Sequence, residues 1–118
     1  MTRHIESYCH LGKIGVLVEL EVNDADFATR TREFRSLARD LAMHIAAMSP
    51  IGIVPLEIGS RDAPALGESS LLDEQTLLRQ AFVKQPELTV ADRIQAAARE
   101  LGSEINVRRF VRFAIDED

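Results

Sequence analysis

GKIGVLVELEVNDADFATRTREF, residues 12–34, is the stretch that decides the predicted fold. Apolar residues occupy every second position from Ile14 to Val22, and the opposite face becomes acidic toward its end. This alternation predicts a strand over residues 13–22 that packs on one side against a core. An Asn-Asp pair then breaks the strand, and a corner over residues 24–30 leads into a helical pattern.

Two further elements flank this strand in the sequence. Residues 4–9 predict a first strand, and the tight connection at Leu11 and Gly12 makes the two strands an antiparallel hairpin. On the other side, Thr31 is the predicted N-cap of a long helix that ends at Pro50. The apolar stripe of this helix consists of Phe34, Leu37, Ala38, Leu41, Ala42, Ile45 and Met48. Its other faces carry residues that we expect to be solvated, namely Glu33, Arg35, Arg39 and Asp40.

The rest of the chain supplies a second long helix and a third strand. Residues 50–70 are irregular, and a serine at their end can cap a short helix. Thr89 and Asp92 predict a capping box for a helix that stops at Gly102. The last strand is predicted over residues 105–115, with one face made of Ile105, Val107, Val111, Phe113 and Ile115. Together these elements predict an α+β fold, a three-stranded antiparallel sheet with helices packed on one face.

Length and composition restrict the class of protein. The 118 residues predict one domain, residues 1–118, and a hydrophobic content of 46% supports a single core. No apolar run suits a membrane span or a secretory signal, and the single cysteine cannot form an internal disulfide, so we expect a cytoplasmic protein. The net charge of −5 and the absence of Trp argue against direct nucleic-acid binding.

Residues in the corner and the hairpin are the candidates for partner contacts. Phe27 is either a core aromatic beneath the corner or a projecting contact, and Asp26 is either a solvated turn residue or a contact. His10 is either an exposed hairpin residue or a contact. A metal site formed by His4, Cys9 and His10 lacks the spacing of a zinc pattern, and we predict no cofactor. Cys9 and His10 cannot act as nucleophile and base together, because neighbouring strand residues point to opposite faces.

The only dense basic cluster lies in the last strand. Arg108, Arg109 and Arg112 either pair with acidic residues across the sheet or contact RNA or phosphate. For the first reading, we expect the partners of Arg108 and Arg112 to be Glu19 and Glu21. The glycines around the first hairpin do not form a phosphate-binding loop, because a strand and not a helix follows them.

Several segments occur in the order seen in a known family. They are IESYCH (residues 5–10), GKIGVLVEL (12–20), the DF pair (26–27) with Arg30, LARDLAMHIAA (37–47), FVK (82–84), LGSEI (101–105) and VRRFVRF (107–113). As a set they resemble the core, or dimerisation, domain of bacterial elongation factor Ts, the guanine-nucleotide exchange factor for elongation factor Tu. The resemblance covers most of residues 5–114 and is specific as a combination, since no single segment is sufficient.

The resemblance implies a function and its contact residues. Asp26 and Phe27 match a pair that wedges into the GTPase near its magnesium site, with Arg30 beside them, and His10 matches a second contact on the phosphate-loop side. Such a factor promotes GDP release without making or breaking a bond, so it is not an enzyme. A homodimer formed through the sheets is also implied. The alternative is a dimerisation or interaction module of the same fold that has lost exchange activity together with the helical N-terminal module usual in the family. For that module we expect either a trimmed domain or a protein that does without it.

Overall fold

The computed structural model describes residues 2–23, 31–53 and 75–115 and confirms the α+β fold. The elements are, in chain order, β1 (Thr2–His10), β2 (Ile14–Val22), α1 (Arg32–Met48), a 3₁₀ turn (Leu77–Arg79), β3 (Ala81–Phe82), β4 (Gln85–Thr89), α2 (Val90–Leu101) and β5 (Ile105–Ala114). Strands β1, β2 and β5 form an antiparallel sheet in the order β1-β2-β5, with β2 in the centre. No helix within the described ranges is long and apolar enough to cross a bilayer.

The sequence signals at the ends of the elements have the expected geometry. Leu11 and Gly12 both have positive φ angles, the combination that matches the twist of a tight hairpin. The Thr31 hydroxyl accepts a hydrogen bond from the Phe34 N–H at 3.1 Å and so caps α1. At α2 the predicted capping box is present in both directions, and Gly102 ends the helix in the left-handed region.

The core lies between one face of the sheet and the helices. Helix α1 buries its predicted stripe, apart from the half-exposed Met48, against the side chains of β2 that alternate toward it. The buried β2 residues on that side are Val16, Val18, Leu20 and Val22. Helix α2 adds Val90, Ile94 and Ala97 to the same cluster. Because all helices lie on one side, the other face of the sheet is left without a covering layer within the described chain.

The predicted faces of β5 are wrong beyond its third residue, because the strand contains a β-bulge. Glu19 is opposite Arg109 but Leu20 is opposite Val107, so Arg108 is an extra residue that reverses the side-chain alternation. Beyond the bulge, Phe110 packs against the core, whereas the predicted core residues Val111 and Phe113 lie on the uncovered face. Ile115 follows the strand and is also exposed. The prediction assumed that side chains alternate strictly between the two faces, and such an alternation cannot show where one extra residue is inserted.

The structure contains a second sheet that the sequence pattern did not predict. Strands β3 and β4 form a short antiparallel hairpin that packs against α2, although residues 81–83 read only as an apolar patch before Pro86. A proline such as Pro86 argues against a strand because it lacks an N–H donor, but it is compatible with a short edge strand such as β4. The corner over residues 24–30 lies outside the described residues, as does most of the predicted short helix near residue 70.

Candidate partner-binding surface

The structure describes one of the predicted contact residues, His10, which is the last residue of strand β1. Asp26, Phe27 and Arg30 lie outside the described residues, but the residues that flank them are described. On one side β2 ends at Val22, which pairs with Thr2 at the start of β1. On the other side Thr31 caps α1 and Phe34 sets its ring edge against His4, with ring centroids 5.3 Å apart. The described residues on the two sides of the corner, Val22 and Phe34, therefore lie beside Thr2 and His4 of β1.

His10 lies at the opposite end of β1, on the wall of a surface cleft. The cleft has a volume of about 310 Å³ and is lined by Tyr8, His10, Ile14, Met43, Ala46, Ala47 and Arg112. The Tyr8 hydroxyl is 3.2 Å from Nδ1 of His10, and the two rings stack with centroids 6.2 Å apart. With the hydroxyl as donor, His10 carries its proton on Nε2 and can donate that hydrogen bond to a partner. Arg112 forms the far wall and donates from Nε to the Ala46 carbonyl at 3.1 Å.

His4, Cys9 and His10 are not brought together as a metal site. His4 lies 2.9 Å from the Glu6 carboxylate through Nε2, near the start of β1. Cys9 is exposed and lies on the uncovered face of the sheet, and His10 stacks on Tyr8 at the other face. Within the described ranges, no group of three His, Cys, Asp or Glu side chains could hold a metal ion.

A buried polar cluster around His44 was missed from the sequence. His44, expected to pack on the helix or face solvent, is fully buried. Its Nδ1 accepts from the Val83 N–H at 3.1 Å, and its Nε2 lies 2.8 Å from Oε1 of Gln80, which fixes the neutral tautomer with the proton on Nε2. Burial lowers the pKa of His44 below its ordinary value of 6.5, and the Gln80 hydrogen bond partly opposes that shift. A useful sequence signal was its position between Leu41 and Ile45, inside the helical stripe.

Asp40 lies in the same region, and the expectation that it is solvated is wrong. Instead of being solvated, its carboxylate is buried and lies 3.0 Å from Nζ of Lys84 and 3.6 Å from a guanidinium nitrogen of Arg93. The Arg93 guanidinium also lies over the Phe82 ring, 5.9 Å from its centroid. These contacts join α1 to the β3–β4 hairpin and to α2, so the cluster has a structural role and is not open to a partner.

The uncovered face of the sheet has a charged half and an apolar half. In the charged half, Glu19 accepts from Nε of Arg109 at 2.6 Å, and Glu21 lies 3.5 Å from both Arg3 and Arg108. The expected pairing of Glu21 with Arg108 is confirmed, whereas the pairing with Arg112 is wrong because the bulge turns Arg112 to the helix side. The apolar half consists of four partly or largely exposed side chains, Ile5, Leu17, Val111 and Phe113.

Comparisons with known proteins identify the family. A family model described as Elongation factor TS matches residues 1–61. The chain is 35% identical to elongation factor Ts of Rubrobacter xylanophilus, over 94% of this chain and 69% of that protein. It is 38% identical to elongation factor Ts of Carboxydothermus hydrogenoformans, over 96% and 63%, and 34% identical to that of Desulfosudis oleivorans, over 96% and 69%.

The alignments also show how this chain differs in length. It spans 63–69% of these relatives, about two thirds of each. The aligned lengths of 136 and 138 positions exceed the 118 residues of this chain, so the relatives contain additional residues within the aligned region. The identities and the shared length are sufficient to place the sequence. The chain belongs to the elongation factor Ts family.

Proposed function

We propose that this chain acts in translation elongation as a guanine-nucleotide exchange factor, or as the core domain of one, for elongation factor Tu. The observation that carries the proposal is the matched segment, residues 1–61, which contains every candidate contact residue, Asp26, Phe27, Arg30 and His10. The geometry of His10 supports it, since this side chain lies on a cleft wall with its free ring nitrogen available to a partner.

The proposed mechanism is a difference in binding free energy and not a chemical step. A factor that binds the nucleotide-free GTPase more tightly than the GDP-bound form lowers the affinity for GDP by the same ratio, because the coupling between two ligands is reciprocal. In this scheme Phe27 occupies a site between helices of the GTPase, Asp26 and Arg30 provide polar contacts beside it, and His10 contacts the phosphate-loop side. Burial of one Phe in a partner contributes about 1.5–3 kcal/mol, enough for a dominant contact.

The test is the rate at which labelled GDP leaves elongation factor Tu. We expect the chain at micromolar concentration to accelerate release, and Phe27→Ala to reduce that acceleration by about tenfold or more, since a dominant contact residue costs about 2 kcal/mol when truncated. His10→Ala should have a smaller effect in the same direction. Ile51→Ala, which truncates an exposed apolar residue outside the proposed contacts, is the matched control. A folded wild-type chain that does not accelerate release excludes exchange activity and leaves the interaction-module alternative.

We also propose a homodimer formed through the uncovered face of the sheet. Leu17 and Phe113 on this face are 49% and 72% exposed, and they adjoin Val111 and Ile5. The neighbouring Gly15 has open space where a side chain would lie, which leaves a shallow depression beside Phe113. An isologous pairing of this face would cover the apolar half and would set each charged half near a copy of the same patch.

Sedimentation tests the dimer. We expect Phe113→Asp to raise the dimer dissociation constant by at least about a hundredfold, because each fully buried apolar side chain contributes about 1.5–3 kcal/mol and the substitution occurs in both copies, for a total of about 3–6 kcal/mol. Leu11→Asp, in the hairpin turn and 81% exposed, introduces the same charge away from the face and should leave the dimer intact. A wild-type monomer at concentrations of tens of micromolar contradicts the proposal.

A further inference from the structure

A basic groove lies between α1 and β1. We define it by three arginines of α1, Arg32, Arg35 and Arg39, which face His4 and Glu6 of β1 across an open space of about 670 Å³. The arginines are spaced by three and four residues, so they form one row along the exposed side of the helix. Ser36 lies in the same row and completes the lining.

Among the described residues, the arginines of this groove have no acidic partner, in contrast to four arginines elsewhere in the fold. Arg3, Arg93, Arg108 and Arg109 all form ion pairs with carboxylates. None of the three groove arginines forms one within the described part of the chain, although the chain carries 19 acidic residues and a net charge of −5. The Glu6 carboxylate, which lines the same groove, is bound by His4 at 2.9 Å. Like charges at this helical spacing repel one another, so the row is unfavourable until an anionic partner covers it.

The groove lies beside the first half of β1. Strand β2, which precedes the corner residues in the sequence, ends at Val22 opposite Thr2, and His10 is the last residue of β1. At about 3.3 Å per residue, His10 is about 20 Å from His4 along the strand. A partner that contacts both ends of β1 must therefore pass over the groove that lies beside His4 and Glu6.

We propose that the basic groove binds an acidic segment of elongation factor Tu and forms the middle of the interface. The inference rests on the proposed function and adds a charge requirement to it. An arginine guanidinium can donate two parallel hydrogen bonds to one carboxylate. Asp and Glu side chains of the partner are therefore the groups that fit this groove. The Glu6 carboxylate on the facing wall and the overall negative charge disfavour a nucleic-acid backbone, which requires a uniformly positive track. Charges at such a position act mainly on the rate of association.

The association rate constant with nucleotide-free elongation factor Tu, measured by stopped flow at several salt concentrations, tests the groove. We expect Arg35→Glu to slow association by about tenfold at low salt, with a smaller effect at high salt because ions screen exposed charges. Arg35→Lys keeps the charge and should restore most of the rate. The matched control is Arg99→Glu, an exposed position of α2 with the same change in net charge, and it should alter the rate by less than about twofold.

The outcomes separate the groove from the proposed function. Equal slowing by Arg35→Glu and Arg99→Glu points to net charge alone and overturns the inference, as does an unchanged rate for Arg35→Glu. In either case acceleration of GDP release by the wild type, with its loss in Phe27→Ala, leaves the proposed function standing. If the wild-type chain neither binds the GTPase nor accelerates GDP release, both the proposed function and the groove inference are wrong. Binding of a labelled RNA oligonucleotide that Arg35→Glu abolishes also overturns the inference.

Discussion

Replacing Phe34 by alanine should lower the free energy of unfolding by about 3–5 kcal/mol, the range for a fully buried large aromatic. Phe34 is 0% exposed and lies in the first turn of α1, where its N–H also donates to the capping Thr31. Its ring belongs to the core cluster between α1 and the sheet and makes a T-shaped contact with His4. Urea denaturation followed by far-UV circular dichroism measures the loss.

The same helix offers a matched control for Phe34. Met48 is in its last turn and 42% exposed, so Met48→Ala should cost less than about 1 kcal/mol. Both variants truncate a large apolar side chain in α1, and the difference between them isolates burial from helix propensity. A Phe34→Ala variant that loses no more stability than Met48→Ala contradicts the placement of the first turn of α1 against the sheet.

Acidification should destabilise the fold through His44. Burial lowers the pKa of His44 below 6.5, so the unfolded chain takes up this proton at a higher pH than the folded chain does. The contribution is fully present above about pH 6.5 and is lost as the pH falls from there through the lower pKa of the folded state. Protonation would also place a proton on Nδ1, which accepts from the Val83 N–H in the neutral form.

Replacing His44 should lower the free energy of unfolding by more than protonating it does. His44→Leu fills the site but removes the hydrogen bonds that His44 makes with the Val83 N–H and with Oε1 of Gln80, and we expect a loss of about 2–4 kcal/mol. In that variant the free energy of unfolding should no longer fall through this group as the pH drops below about 6.5. A double variant, His4→Gln with His10→Gln, keeps His44 and should retain the dependence. If the pH dependence disappears in the double variant, His4 or His10 is responsible for it.

The regular elements were predictable because their signals are local. The alternation along residues 13–22 and the stripe of α1 fix which faces are buried, and Thr31, Thr89 and Gly102 mark helix ends by side-chain and backbone preferences that need no tertiary contact. His10 was placed at the end of the hairpin for the same reason. These signals are sufficient for the layer order and for one end of the candidate surface.

The features that the sequence did not predict depend on contacts between distant residues. His44 and Asp40 are polar residues on a helix, and only Gln80, Val83 and Lys84, brought in by the second hairpin, make their burial possible. Likewise the spacing of the α1 arginines is visible in the sequence, but only the folded surface shows that they face His4 and Glu6 across a groove. Periodicity carries no information on which remote group compensates a polar side chain.

Because of the extra residue at Arg108, the two parts of β5 bury side chains of opposite parity. Its first part contributes Ile105 and Val107 to the interior, and its later part presents Val111 and Phe113 outward. Shortening the strand by that single residue would exchange the two sides of its later part, sending Phe113 inward and Arg112 outward. Gain or loss of one codon near this point is therefore a larger change to the molecule than any single replacement along the strand, because it alters both the interior and the exposed sheet at once.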